Sequence, residues 1–220
     1  MTPPAFHRAR RPEHKQQRRE AILAAARTLA VRSGVRAVTL GDVARTVGLA
    51  KSNVVRYFGT REAIYLELAG EEWQGWTHAA AARIGGGTDV ATALAETLEA
   101  RPLLCDLLGH ITTTLEHNAS VAAARTFKQA MHASYDELGE RIVAARPELT
   151  PQEAAELILV ASVMGHTLYA IGRPPATMLA LYAMEPELAA ASCFPFVPTL
   201  RRLLDALADG LPRRRATGPE

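Results

Sequence analysis

Cysteine is nearly missing from this 220-residue chain: Cys105 and Cys193 lie far apart, with no CxxC and no His-rich context. That excludes a disulfide framework and a zinc finger, fits a reducing cytoplasm, and leaves packing or a redox pair as roles for the two thiols. Strand patterning is missing too, since no alternation of apolar and polar residues persists. No Ser/His/Asp, Cys/His or paired-carboxylate set stands out, so an enzyme finds little support and no cofactor is implied. The glycine run 85–87 has no strand before it and no Lys-Ser/Thr after it, which rules out a phosphate loop. His110 and His117, seven apart, share a predicted helix face, but spacing places no third ligand and no metal site is assigned. No secretory signal is apparent, because the apolar run after the basic N-terminus is interrupted by Arg27 and lacks a cleavage site. One stretch, 154–172, approaches the ~20 apolar residues of a membrane span with only Glu156 and His166 ionisable. It lacks aromatic anchors on both sides, which favours a helix buried at a subunit interface over a membrane segment.

What is present is helical periodicity. With 48% hydrophobic residues a core is within reach. The pattern predicts an all-α chain of about nine helices, at 15–33, 40–47, 50–58, 61–84, 89–100, 102–118, 121–145, 151–171 and 197–210. One further short helix is expected across 178–183. Charge divides unevenly. Residues 1–60 hold twelve Lys/Arg against Glu13, Glu20 and Asp42, a net +9, which leaves −7 for the rest. A basic module joined to an acidic one suits a nucleic-acid binder with a separate regulatory part. The segment 1–14 is expected to be a disordered basic arm, whose Arg8, Arg10 and Arg11 either meet DNA or only solubilise, and 211–220 a disordered tail.

The chemistry concentrates in 39–58, TLGDVARTVGLAKSNVVRYF. Thr39 is a natural N-cap, and Val43, Ala44 and Val47 then recur at one-turn spacing. Gly48 can take the left-handed conformation that closes a helix, with Leu49 tucked beneath it. In the second helix Val54 and Phe58 face inward and leave Lys51, Ser52, Asn53, Val55, Arg56 and Tyr57 outward. Two short helices, a small residue where they touch and polar groups on the second make a helix-turn-helix.

On these residues the chain resembles the TetR-type transcriptional regulators. The likeness rests on the helix at 19–33, Thr39, Val43-Ala44, Val47-Gly48-Leu49, Tyr57-Phe58 and 59–62, and it is strong over about 17–68. Such regulators usually open the recognition helix with Ser or Thr; this chain has Ala50, so Ser52 is expected to share the capping. The resemblance implies a DNA-binding domain at 15–60 and an effector-binding and dimerisation domain at 61–210. Lys51, Ser52, Asn53, Val55 and Arg56 match base-facing slots, and Thr39, Tyr57 and Arg61 match phosphate slots. Arg56 and Lys51 suit guanine, Asn53 adenine and Val55 a thymine methyl. Arg36 and Arg45 are either phosphate contacts or solvated charge.

The implied partners are a near-palindromic double-stranded DNA operator, a second copy of the chain and an unknown small-molecule effector. The homodimer is expected to pair the helices at 151–171 and 197–210, whose apolar surface exceeds what a small bundle covers. Candidates for the effector pocket are Trp73, Trp76, Leu107, His110, Ile111, Phe127, Met131, Tyr135 and His166; filled core is the competing role for each. Two functions remain open at this point: a repressor released by its effector, and a constitutive DNA-binding module whose C-terminal half dimerises or recruits a protein.

Overall fold

The computed structural model describes residues 12–217, which form helices joined by short turns and loops, with no strand among them. Helix α1 spans Pro12–Ser33, a 3-10 turn Val35–Ala37, α2 Leu40–Thr46, α3 Lys51–Phe58 and α4 Arg61–Gly85. Then follow α5 Val90–Glu99, α6 Pro102–His110, a π-helical turn Ile111–Leu115, α7 Glu116–Asn118, α8 Val121–Ala145 and α9 Pro151–Ile171. The chain closes with α10 Ala176–Met184, α11 Pro186–Ala191 and α12 Phe196–Thr217.

The nine expected helices are all found, for local reasons. Thr39, Thr60, Asp89, Ser120 and Thr150 each accept a backbone N–H three residues on, which satisfies a free donor of the first turn. Asp42 and Glu153 answer reciprocally, closing capping boxes. Several bounds differ from expectation. Helix α1 begins at Pro12, inside the expected arm; Arg8, Arg10 and Arg11 lie outside the described residues. Helix α12 continues through the expected tail to Thr217, with Arg215 reaching back to Glu153 and to the Glu148 carbonyl. The segment after α9 forms two short helices, where one was expected.

Two apolar clusters share the interior, and α4 serves both. Ile64, Leu66, Leu68 and Ala69 join Ile22, Ala26, Val43, Ala44 and Val54 in a first cluster, called here the reader. Trp73, Trp76, Ala80 and Ile84 join Leu94, Leu98, Leu104, Leu138, Leu157 and Leu200 in a second, the body. Packing thus divides α4 between Ala69 and Trp73, beyond the boundary expected at 60. The reader cluster also takes in Leu103, Leu107, Ile111, Leu115 and Phe127, so α6 and α8 are seated on it.

Helix α9 is long and apolar enough to cross a membrane by length and composition, and 39% of its most apolar window is buried. Its partners inside are α6, α8, α5 and α12. Its outer side exposes Leu159 and Val163, one turn apart, at 52% and 53%, an apolar surface that nothing among the described residues covers.

Candidate nucleic-acid interface

Helices α2 and α3 meet through Ala44, which is buried at the contact. Between them the chain turns on Gly48, whose φ of 65° is open to glycine at little cost. Its amide donates to the Arg45 carbonyl at 3.2 Å and the next amide, Leu49, to the Ala44 carbonyl at 2.9 Å, the paired bonds of a Schellman ending. Helix α3 then starts with no side-chain cap at Ala50, so Ser52 does not take the capping role expected of it. The Ala50 carbonyl instead accepts from Asn53 N at 2.9 Å.

Val54 is wholly buried and roots α3 in the reader core, while Lys51, Ser52, Val55 and Arg56 are exposed and Asn53 is half-buried. Thr39 is exposed beside them, its hydroxyl bonded to the Asp42 carboxylate at 2.6 Å. That hydroxyl, together with the Thr39 amide, holds the Asp42 carboxyl below the usual carboxylate range. Tyr57 is half-buried. Arg45 pairs with Asp42 at 3.0 Å but is 79% exposed, free to swing to a phosphate. Arg36 is exposed as well.

Arg61 differs from the rest of the expected set. Its Nε donates to the Val38 carbonyl at 2.6 Å, a second nitrogen donates to the Val35 carbonyl, and the guanidinium lies 4.7 Å over the Tyr65 ring. These bonds, with the Glu62 carboxylate 3.3 Å from a third nitrogen, tie the start of α4 to the turn before α2. The planar fork suits two diverging carbonyls.

The expected effector residues do not gather around one space. Trp73 and Trp76 are buried, with ring centroids 5.0 Å apart edge to face, and Tyr135 lies 5.4 Å from Trp73. These rings, with Met131 against them, fill the body core. Leu107 and Ile111 belong to the reader cluster. His166 Nδ1 lies 3.0 Å from the Cys105 carbonyl, with its ring packed over Gly109, where a side chain would collide. His110 pairs with Asp106 at 3.5 Å. The π turn after it adds a residue to the winding, so His110 and His117 no longer share the face that regular α spacing assigns them. Among the described residues no group of three His, Cys, Asp or Glu is placed to hold a metal. Cys105 is buried, which pushes its thiol up to about 12, and Cys193 is exposed; both are free.

Residues 22–68 match the model of bacterial regulatory proteins of the tetR family, and residues 70–215 match that of the tetracyclin repressor-like C-terminal domain. The chain belongs to the TetR family. It is a transcription regulator with a helix-turn-helix DNA-binding domain and a helical C-terminal domain.

Solved structures share this TetR fold at low identity. The TetR-family transcriptional repressor FadR of Thermus thermophilus, in complex with lauroyl-CoA, is 18% identical with a TM-score of 0.54 over 92% of this chain and 99% of its own. The fatty acid degradation regulator FadR of Bacillus halodurans is 13% identical with a TM-score of 0.52, over 87% and 98%. The multidrug binding protein EbrR, complexed with imidazole, is 17% identical with a TM-score of 0.50, over 94% and 97%. No curated protein matches.

Two residues that sequence reasoning passed over join the TetR reader to its surroundings. Arg19 of α1 donates to the Tyr57 carbonyl at 3.2 Å and to Glu67 Oε1 at 3.1 Å, and it lies 4.2 Å over the Phe58 ring. It thereby holds the C-terminal end of α3, where free carbonyls favour a cation. Asp106 of α6 accepts the Val35 amide at 2.7 Å. Both look like ordinary surface charges on amphipathic helices, and only their partners, distant in sequence, reveal them.

Proposed function

We propose that this TetR-family chain acts as a dimeric repressor in the cytoplasm, bound to a near-palindromic operator and released by a small-molecule effector. The observation that supports it most is the division of α3. One fully buried residue, Val54, anchors it, and Lys51, Ser52, Asn53, Val55 and Arg56 are left for base edges. Thr39 and Tyr57 at either end suit phosphate contacts, which set register without reading sequence.

One such helix discriminates too little alone, since each good bidentate contact is worth only ~1–3 kcal/mol. A two-fold pair doubles the reading and sets half-sites about one turn, ~34–36 Å, apart or a multiple of it. The exposed apolar face of α9 supports this pairing, with Leu159, Val163 and Ile171 on one helix; Leu179, Leu188 and Phe194 are exposed as well. Helix α12, the other expected partner, presents a more polar surface. Its Leu200 and Leu204 are buried inside the protomer, and its exposed positions include Arg201, Arg202 and Asp209.

The test is selection of bound duplexes from a random pool, followed by anisotropy titration and sedimentation. The expected result is a two-fold-symmetric target bound by two chains. A monomer at micromolar concentration, or equal affinity for selected and random duplexes at low salt, overturns the proposal.

A further inference from the structure

We infer that the cavity between the C-terminal end of α3 and the first half of α8 is the effector site, and that it takes an uncharged, mainly apolar small molecule. The inference rests on the effector-responsive reading above and places the site apart from Trp73, Trp76 and Tyr135, which pack on one another in the body core. The cavity holds about 530 Å³, inside the ~300–1,000 Å³ range of small-molecule sites. Its apolar walls are Phe58, Leu66, Gly70, Ala123, Phe127 and Ala130. Small residues keep it open: a methyl group at Gly70 would meet only the Phe127 ring, at 3.8 Å.

The charges in the wall decide the class of guest. Arg19, Glu67 and Glu71 reach it, and each already has a counter-ion: Arg19 and Glu67 in each other, Glu71 in Arg27 at 2.7 Å. A charged guest would have to compete with one of these partly exposed pairs for a partner. An uncharged guest leaves them intact and gains apolar burial against Phe58, Leu66 and Phe127.

Position supplies the coupling. Tyr57 and Phe58 end the recognition helix, while Ala123 and Phe127 belong to a 25-residue helix that runs on into the body. An occupant touches both, so any shift of the reader against α8 changes its contacts, which is the differential affinity that a switch requires. Bound between them, it holds the reader away from the arrangement that fits the operator.

Full-length protein is titrated with N-phenyl-1-naphthylamine, an uncharged fluorophore that brightens in apolar surroundings, and with its anionic analogue anilinonaphthalene sulfonate. The expected result is saturable binding of the uncharged probe, weaker binding of the anion, and loss of operator affinity as the uncharged probe fills the site. Gly70→Leu and Ala123→Phe, which occupy the space from opposite walls, should each weaken the uncharged probe by about ten-fold or more. Thermal melting reports which variant keeps the fold. Unchanged probe affinity in a variant that melts like the wild type, no saturable binding by the wild type, or tighter binding of the anion overturns the inference. Operator binding by the ligand-free wild type is scored separately. A chain that binds the operator and not the probe fails here alone, and a chain that takes the probe but no operator fails as a regulator.

Discussion

The backbone amide of Val35 donates to Asp106 Oδ2 at 2.7 Å, joining residues 71 apart across the seam between reader and body. The same carboxylate faces the His110 imidazole one turn along α6, at 3.5 Å. Burial pushes the Asp106 carboxyl up, but the hydrogen bonds from His110 and Val35 and the nearby imidazoles outweigh it and hold it below the usual carboxylate range.

A carboxyl depressed in the folded state stabilises the fold above its unfolded value of ~3.9, and that contribution is lost as pH falls through the lower folded value. Asp106→Ala should therefore destabilise by about 1–3 kcal/mol at neutral pH, because it strands the Val35 N–H. The deficit should shrink as pH drops below ~4, where the wild-type carboxyl also protonates. Thermal melts of both proteins between pH 3 and 7 check this. A deficit that stays constant across that range contradicts the assignment.

Arg61→Ala should lower stability by about 1–3 kcal/mol, since it removes the donors from the Val35 and Val38 carbonyls. Arg61→Lys should recover little, because an ammonium cannot reach two diverging carbonyls. Were Arg61 a phosphate contact, the melt would stay put and the salt slope of DNA binding would fall by ~1. Denaturant titration beside a salt series separates these outcomes.

Arg56→Ala should weaken the selected operator by about 1–3 kcal/mol and broaden the choice of bases at one position of each half-site. Tyr57→Phe should weaken selected and random duplexes alike, as loss of a phosphate contact does. Equal loss on both duplexes from Arg56→Ala would remove it from the base-reading set.

Leu159→Asp with Val163→Asp places charge on the uncovered face of α9, where both side chains are exposed in the single protomer. The pair should leave far-ultraviolet dichroism unchanged and convert the sedimenting species to a monomer with weakened operator binding. A double variant that still sediments as a dimer would place the interface elsewhere.

The reader was legible in the sequence almost residue by residue because its signals are short in range. Thr39 caps through Asp42, Gly48 closes a turn whose bonds span at most five residues, and Val54 and Phe58 lie one turn apart. Each is a decision between near neighbours. Ser52 misled because a cap depends on where the helix starts, and at Ala50 the backbone carbonyl alone suffices. The bonds of Arg61 were not legible there, its partners Val35 and Val38 lying 26 and 23 residues back.

The body was legible as helices but not as a container. The sequence offered Trp73, Trp76, Phe127, Tyr135 and His166 as pocket candidates with filled core as the competing role, and it could not say whether the inside was packed or open. Trp76, edge-on to Trp73, and Tyr135, 5.4 Å from Trp73, pack part of that inside, and one cavity lies beside α3 and α8.

From the sequence alone came the helical class, the reading motif, the basic and acidic halves and most of the helices, because caps, turns and 3.6-residue periodicity act within a few residues. Tertiary structure alone decided which charges are consumed inside, where the volume lies and which apolar face stays uncovered. Those depend on side chains that meet only after distant helices pack, and no local pattern records them.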